Sequence, residues 1–295
     1  PLYEPPLSRF WQRVRRFFRG YVLREEELRD AVVDAVFAGV RPALAPLFQL
    51  QGDMETYLAA LGFRDAVRAR GLDVCIPEIA HEGDLPVPRE LVRLFNPHLL
   101  TEPKAPVPCS ITFARHDAIA IFTGPNSGGK TRLLQALALA QLLGQAGLFV
   151  PAERASLTAA PCMFVSLIEE ARHDQKEGRL GTELLRIREV FERLGRGGVV
   201  LLDELCSGTN PSEGEEIFEL VTTLLADLEP QAYITTHFLD FAARLSAKAE
   251  DDRLVFFRVG LDEHDEPTFQ FEPGVARSSL AKKTAARLGV TRETL

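Results

Sequence analysis

The sequence predicts an α/β protein: a mainly parallel sheet flanked by helices, preceded by an all-helical segment. Three observations predict it. Continuous apolar runs at 118–122, 163–167, 199–202 and 233–235 alternate with helical stretches that begin near Gly129, Thr182, Ser212 and Phe238. Such runs are the pattern of strands covered on both faces. The first seventy residues instead place apolar side chains at helical spacing. Between the two regions lies a stretch dense in proline.

Taken in order, residues 7–23 put Leu7, Phe10, Trp11, Val14, Phe17, Phe18 and Tyr21 on one broad helical stripe. The same stretch carries Arg9, Arg13, Arg15, Arg16 and Arg19 and no acid. A second helix is expected from Glu25 to about Gln49, with Pro42 and Pro46 punctuating its end. A third is expected from Met54 to Arg70, stopped by Gly71. Over 72–108, Pro77, Pro86, Pro88, Pro97, Pro103, Pro106 and Pro108 break the chain into pieces that read as loops and edge strands wrapping a core. The division expected is therefore a helical segment, 1–71, and an α/β domain, 72–295. Near the end, 254–259 and 268–271 flank a charged turn and predict a hairpin, and 279–288 predicts a closing helix.

An apolar share of 46% and a charged share of 26% over 295 residues describe an ordinary globular chain with a substantial core. No apolar run approaches the ~20 residues of a membrane-spanning helix. Cys75, Cys109, Cys162 and Cys206 are far apart, without a CxxC pair, and read as buried small hydrophobes in a reducing cytoplasm. The first residue is Pro1 and not Met, as expected of a fragment. A net charge of −8 argues against a surface that binds nucleic acid all over, and leaves the basic helix 7–23 as a local patch. That helix has two readings, a contact for DNA or a membrane surface, or a packing helix whose arginines are solvated.

The chemistry begins at Gly124-Pro125-Asn126-Ser127-Gly128-Gly129-Lys130-Thr131, which fits GxxxxGK[ST]. It follows an apolar strand directly and opens a helical run, the context that makes the motif a phosphate site and not a bare glycine-rich turn. Its glycines let backbone N–H groups point at phosphate oxygens, and the helix N-terminus adds a favourable dipole. Lys130 is expected to reach the β and γ phosphates, and the Thr131 hydroxyl to ligate Mg²⁺. The strand 199–202 ends in Asp203 and Glu204, at the carboxyl edge where ligands bind in open α/β sheets. Asp203 is expected to hold the magnesium shell and Glu204 to polarise the attacking water. His237 follows the next apolar strand, where a γ-phosphate sensor is expected. His81, His98, His116, His173 and His264 do not cluster and receive no role.

Together these residues resemble the ATPase domain of the MutS mismatch-repair family. The loop TGPNSGGKT is similar to that family's TGPN-x-GGK-S/T. Leu202-Asp203-Glu204 with Ser207-Gly208-Thr209-Asn210 and Glu213-Gly214 resembles its DE-x-x-x-GT stretch, and Thr235-Thr236-His237-Phe238 its (A/T)TH-(Y/F). Pro273-Gly274, Ser278, Ser279 and Leu288-Gly289 resemble its closing segment, and Asn96-Pro97-His98-Leu99-Leu100 echoes its HPLL turn. The resemblance implies an ABC-type P-loop ATPase that uses ATP and Mg²⁺, works as a homodimer, and serves DNA repair or recombination. Residues 1–71 resemble the base of the family's lever helices.

Two departures qualify it. The segment 177–183 lacks the Ser-Thr-Phe that reaches a partner's γ-phosphate in the family, leaving Gly178, Gly181 or Thr182 to substitute. No Phe is followed two residues later by Glu, so the chain lacks the wedge with which relatives read mismatches. The alternative function, favoured by the first departure, is a nucleotide-gated interaction module that binds ATP with little or no hydrolysis.

Overall fold

The computed structural model describes residues 6–18, 25–81, 87–167, 179–206, 210–249 and 252–277. The chain forms two compact units, Pro1–Leu61 and Gly62–Leu295.

The first unit holds helix α1 (Pro6–Phe18) and most of helix α2 (Glu25–Ala69). In α1, Leu7, Phe10 and Trp11 are exposed. The two helices expected over 25–70 are one helix. Gly52 and Asp53 do not break it, because Thr56 Oγ1 donates to the Gly52 carbonyl (3.0 Å) and Gln51 to Glu55 Oε1 (3.1 Å), one turn apart across the expected gap. Pro42 and Pro46 lie inside the helix, which bends by 49° between Val40 and Leu44. The missing proline N–H accounts for the bend. Among the described residues no single helix is long and apolar enough to cross a membrane.

In the second unit, the last turns of α2 bury Val67 against Leu72 and Phe95, and Arg70 donates to the Glu102 carbonyl at 2.9 Å. This packing places the last turns of α2 in the second compact unit, which begins at Gly62. A six-stranded sheet runs in the order β10 (Pro267–Pro273), β9 (Leu254–Leu261), β4 (Ile119–Thr123), β8 (Gln231–Thr236), β7 (Val199–Leu202), β6 (Met163–Ser166). Every neighbouring pair is parallel except β10–β9. Register aligns Thr123 with Thr236 and Leu202 with Ile234. The loop after β4, the acids after β7 and the histidine after β8 therefore leave the sheet along one edge.

A second sheet, in the order β1 (Glu78–Ala80), β5 (Arg154–Thr158), β2 (Arg89–Leu94), β3 (Cys109–Phe113), was not expected as a sheet. The proline-rich stretch supplies two of its strands, β1 and β2, and β2 is interior where edge strands were expected. Its six residues lie between prolines and alternate well enough to bury Leu91 and Leu94. Helix α3 (Lys130–Gln145) lies in the core shared by the two sheets, with Leu134 and Leu137 among Leu91, Ile111, Phe113, Phe122 and Leu157. The opposite face of the large sheet is covered by α4 (Arg179–Arg193), α5 (Pro211–Leu228) and α6 (Leu239–Lys248), through Val190, Phe218, Leu225 and Phe241. The expected closing helix, 279–288, lies outside the described residues.

One buried cation ties these layers together. Arg89 of β2, 1% exposed, donates to Gln141 Oε1 of α3 at 2.8 Å and to Gln231 and Tyr233 of β8, with its guanidinium over the Tyr233 ring. Burial lowers its pKa to about 9.

Candidate functional site

The phosphate-loop motif sits where strand chemistry gives way to helix. All five residues of β4 are buried, and α3 begins at Lys130 with Gly129 as its N-cap. Gly124 has φ +139°, and a Cβ there would lie 2.7 Å from Val259 Cγ2; one on Gly128 would lie 2.8 Å from the same atom. Only glycine lets this loop lie flat against β9. Gly128 N–H donates to the Pro125 carbonyl at 2.9 Å, closing the turn, while Asn126 and Ser127 are exposed at its tip. Lys130 Nζ, buried to 3% exposure, donates to the carbonyls of Gly124 (2.9 Å) and Pro125 (3.0 Å). Burial lowers its pKa, with Glu204 and Asp203 opposing that shift.

The acids meet the loop directly. Asp203, 6% exposed, accepts from Thr131 Oγ1 on Oδ2 (2.7 Å) and from Thr235 Oγ1 on Oδ1 (2.6 Å). Its own N–H donates to the Ser166 carbonyl at the end of β6. A hydroxyl and a carboxylate this close are hard oxygen donors of the kind Mg²⁺ takes, which needs few protein ligands beside phosphate and water. No cluster of three or more His, Cys, Asp or Glu able to hold a metal occurs among the described residues. Glu204 takes a left-handed backbone, φ +49°, and its N–H donates to Thr235 Oγ1 at 2.6 Å. Cys206 is also left-handed, φ +61°, and its N–H donates to Glu183 Oε1 at 2.6 Å. Burial and the Glu183 charge push the Cys206 thiol up to about 12, so it is inert at neutral pH.

His237 follows β8, its ring centroid 4.3 Å from that of Phe238. Partial burial lowers its pKa; Glu204 opposes the shift and Lys130 adds to it, so the ring shares one electrostatic neighbourhood with both. The lowered value favours the neutral imidazole at pH 7.

Three features escaped the sequence. Thr235 bridges the two acids through space, and the nearest signal was only its place in the Thr-Thr-His run. Glu183 lies in the segment 177–183, where Gly178, Gly181 or Thr182 was left to substitute for the family's Ser-Thr-Phe, and it bonds within its own chain; Gly178 lies outside the described residues, as do Ser207, Gly208 and Thr209. The third is an apolar cavity of about 290 Å³ beside the loop, lined by Phe95, Leu99, Pro106, Gly129, Leu133 and Phe269. Phe269 has φ +58°, and its ring lies 3.2 Å from where a Cβ on Gly129 would stand. The Asn96 turn beside this cavity is fastened to α3, its amide donating to the Arg132 carbonyl (3.1 Å) and to Gln135 Oε1 (2.9 Å).

Comparison with known proteins identifies the family. The family described as MutS domain V matches residues 120–292. The Endonuclease MutS2 of Thermus thermophilus is 32% identical over 243 residues, covering 81% of this chain and 31% of that protein. That of Thermomicrobium roseum is 30% identical over 244 residues (80% and 30%), and that of Lacticaseibacillus casei 28% over 272 (91% and 34%). The chain thus spans about a third of the length of the curated relatives it matches. With its phosphate loop, acidic strand end and histidine on one sheet edge, and the family match running across all three, the chain belongs to the MutS family and carries its ATPase domain.

Proposed function

We propose that this domain binds ATP with Mg²⁺ on the 124–131 loop, hydrolyses it, and uses the nucleotide state to drive closure of a homodimer. The observation that carries this reading is the 2.7 Å hydrogen bond from Thr131 to Asp203, which joins the phosphate loop to the acidic strand end. Gly124, Pro125, Asn126, Ser127, Gly128 and Gly129 wrap the phosphates with backbone N–H groups, and Lys130 turns from its two carbonyls to the β and γ oxygens. Thr131 and Asp203 would hold the magnesium ion, which when bound offsets the charge gathering on the phosphate oxygens. Glu204 orients the attacking water, and the neutral His237 donates to the γ-phosphate. Adenine enters the apolar cavity beside Gly129, with the Phe269 ring as a stacking surface. The scaffold is that of an ABC-type P-loop ATPase.

The relatives named as endonucleases act on nucleic acid, and this supports DNA as a partner of the larger assembly. The missing Phe-x-Glu supports a role that does not depend on mismatch recognition by this chain. A second reading, binding with little hydrolysis, is favoured by the segment 177–183, which lacks the family's Ser-Thr-Phe and whose Glu183 accepts from the chain's own Cys206 N–H. Mg²⁺-dependent ATP turnover decides between the two: loss of turnover in Glu204→Gln supports hydrolysis at this site, and absence of turnover in the unaltered protein leaves the gated binder.

A further inference from the structure

Thr235 is fully buried, at 0% exposure, and holds three consecutive residues of the acidic turn. Its hydroxyl donates to Asp203 Oδ1 (2.6 Å) and accepts from Glu204 N–H (2.6 Å), while its carbonyl accepts from Leu205 N–H (3.3 Å). One hydroxyl thus uses its single proton and a lone pair at once, a combination no apolar side chain can supply. The turn needs such fastening. Glu204 sits at φ +49° without being glycine, a conformation that persists only where its surroundings over-determine it. With Oδ1 held by Thr235, the other oxygen of Asp203 faces Thr131.

We propose that Thr235 is a positioning residue for ATP hydrolysis, fixing Glu204 for water activation and Asp203 toward Thr131, without itself touching nucleotide. The inference rests on the ATPase reading above. β-branching makes the residue suited to the task, because it restricts χ1 and holds the hydroxyl in one direction. The bond also links β8, which His237 follows, to the turn that carries Glu204, so sensor and base share one anchor.

The test replaces the hydroxyl and leaves the shape. In Thr235→Val, kcat falls about 10- to 100-fold, as displacement of a reacting group by about 1 Å implies, while ATP affinity by calorimetry stays within about threefold because the phosphate contacts remain. Thr235→Ser restores the hydroxyl and returns kcat to within about threefold of the unaltered protein. Unchanged kcat in the Val variant overturns the proposal, and so does a parallel loss of affinity and kcat, which marks a purely structural bond. Should the Val variant fail to fold, the Ser variant decides: near-normal kcat supports the role, and a loss of tenfold or more overturns it. The unaltered protein and Glu204→Gln are assayed beside them. No turnover in the unaltered protein sinks the hydrolysis reading together with this one, whereas turnover that is normal in the Val variant sinks this one alone.

Discussion

Lys130 brings a positive charge into a place where 3% of its surface meets water, and two carbonyl oxygens share its protons. Phosphate oxygens are stronger acceptors for an ammonium group than carbonyls, because the bond is charge-assisted on both sides. Lys130→Ala should therefore weaken ATP binding by at least 100-fold, read by calorimetry, with the fold kept, since α3 buries its core face through Leu133, Leu134 and Leu137 and not through Lys130. Affinity within about threefold of normal would remove the loop from the site. Lys130, Thr131, Asp203 and Glu204 were legible because each stands in a contiguous motif with its strand or helix beside it. Thr235 and Glu183 were not. Each acts across 23 to 32 residues of sequence, through hydrogen bonds that exist only once β7, β8 and α4 are side by side.

Elements were legible where burial was two-sided. β4, β7 and β8 are continuous apolar runs and were placed within two residues of their ends. β5 was missed because Arg154-Ala155-Ser156-Leu157-Thr158 is a weak apolar pattern, made a strand by pairing with β1 and β2. The break expected in α2 failed for the converse reason: a glycine in a helix interior costs only about 1 kcal/mol, and side-chain bonds span it. Arg89 belongs to this scale too, since it joins β2 to α3 and β8. Arg89→Ala strips Gln141, Gln231 and Tyr233 of their donor and opens a void among them. Unfolding free energy by urea titration should fall by roughly 3 kcal/mol or more, from unsatisfied polar groups and lost packing together. A change below about 1 kcal/mol would show the guanidinium to be incidental to the joint.

At the scale of the whole molecule, a family match from residue 120 to 292 lies entirely within the second unit, and the described residues of the first unit are helical, with Leu7, Phe10, Trp11, Phe37 and Phe48 exposed. If the 7–23 stretch contacts DNA and is not a packing helix, its five arginines set the character of that contact. Binding should be independent of sequence and weaken steeply with salt, since phosphate neutralisation releases counterions. Titration of matched and mismatched duplexes at two salt concentrations should give affinities within about threefold, and changing the five arginines to Gln should weaken both. A mismatch preference above about tenfold, or ~1.4 kcal/mol, would contradict this account of the chain.

The central claim is that Thr131, Asp203, Glu204 and Lys130 form one hydrolytic site, and steady-state ATP turnover with and without Mg²⁺ tests it most directly, in the unaltered protein and in Glu204→Gln, with sizing of the same samples. The account predicts Mg²⁺-dependent turnover that falls at least 100-fold in the Gln variant, with ATP retained and a dimer accumulating as chemistry stalls. Turnover that survives Glu204→Gln within about threefold, or a variant that stays monomeric with saturating ATP and Mg²⁺, would contradict it.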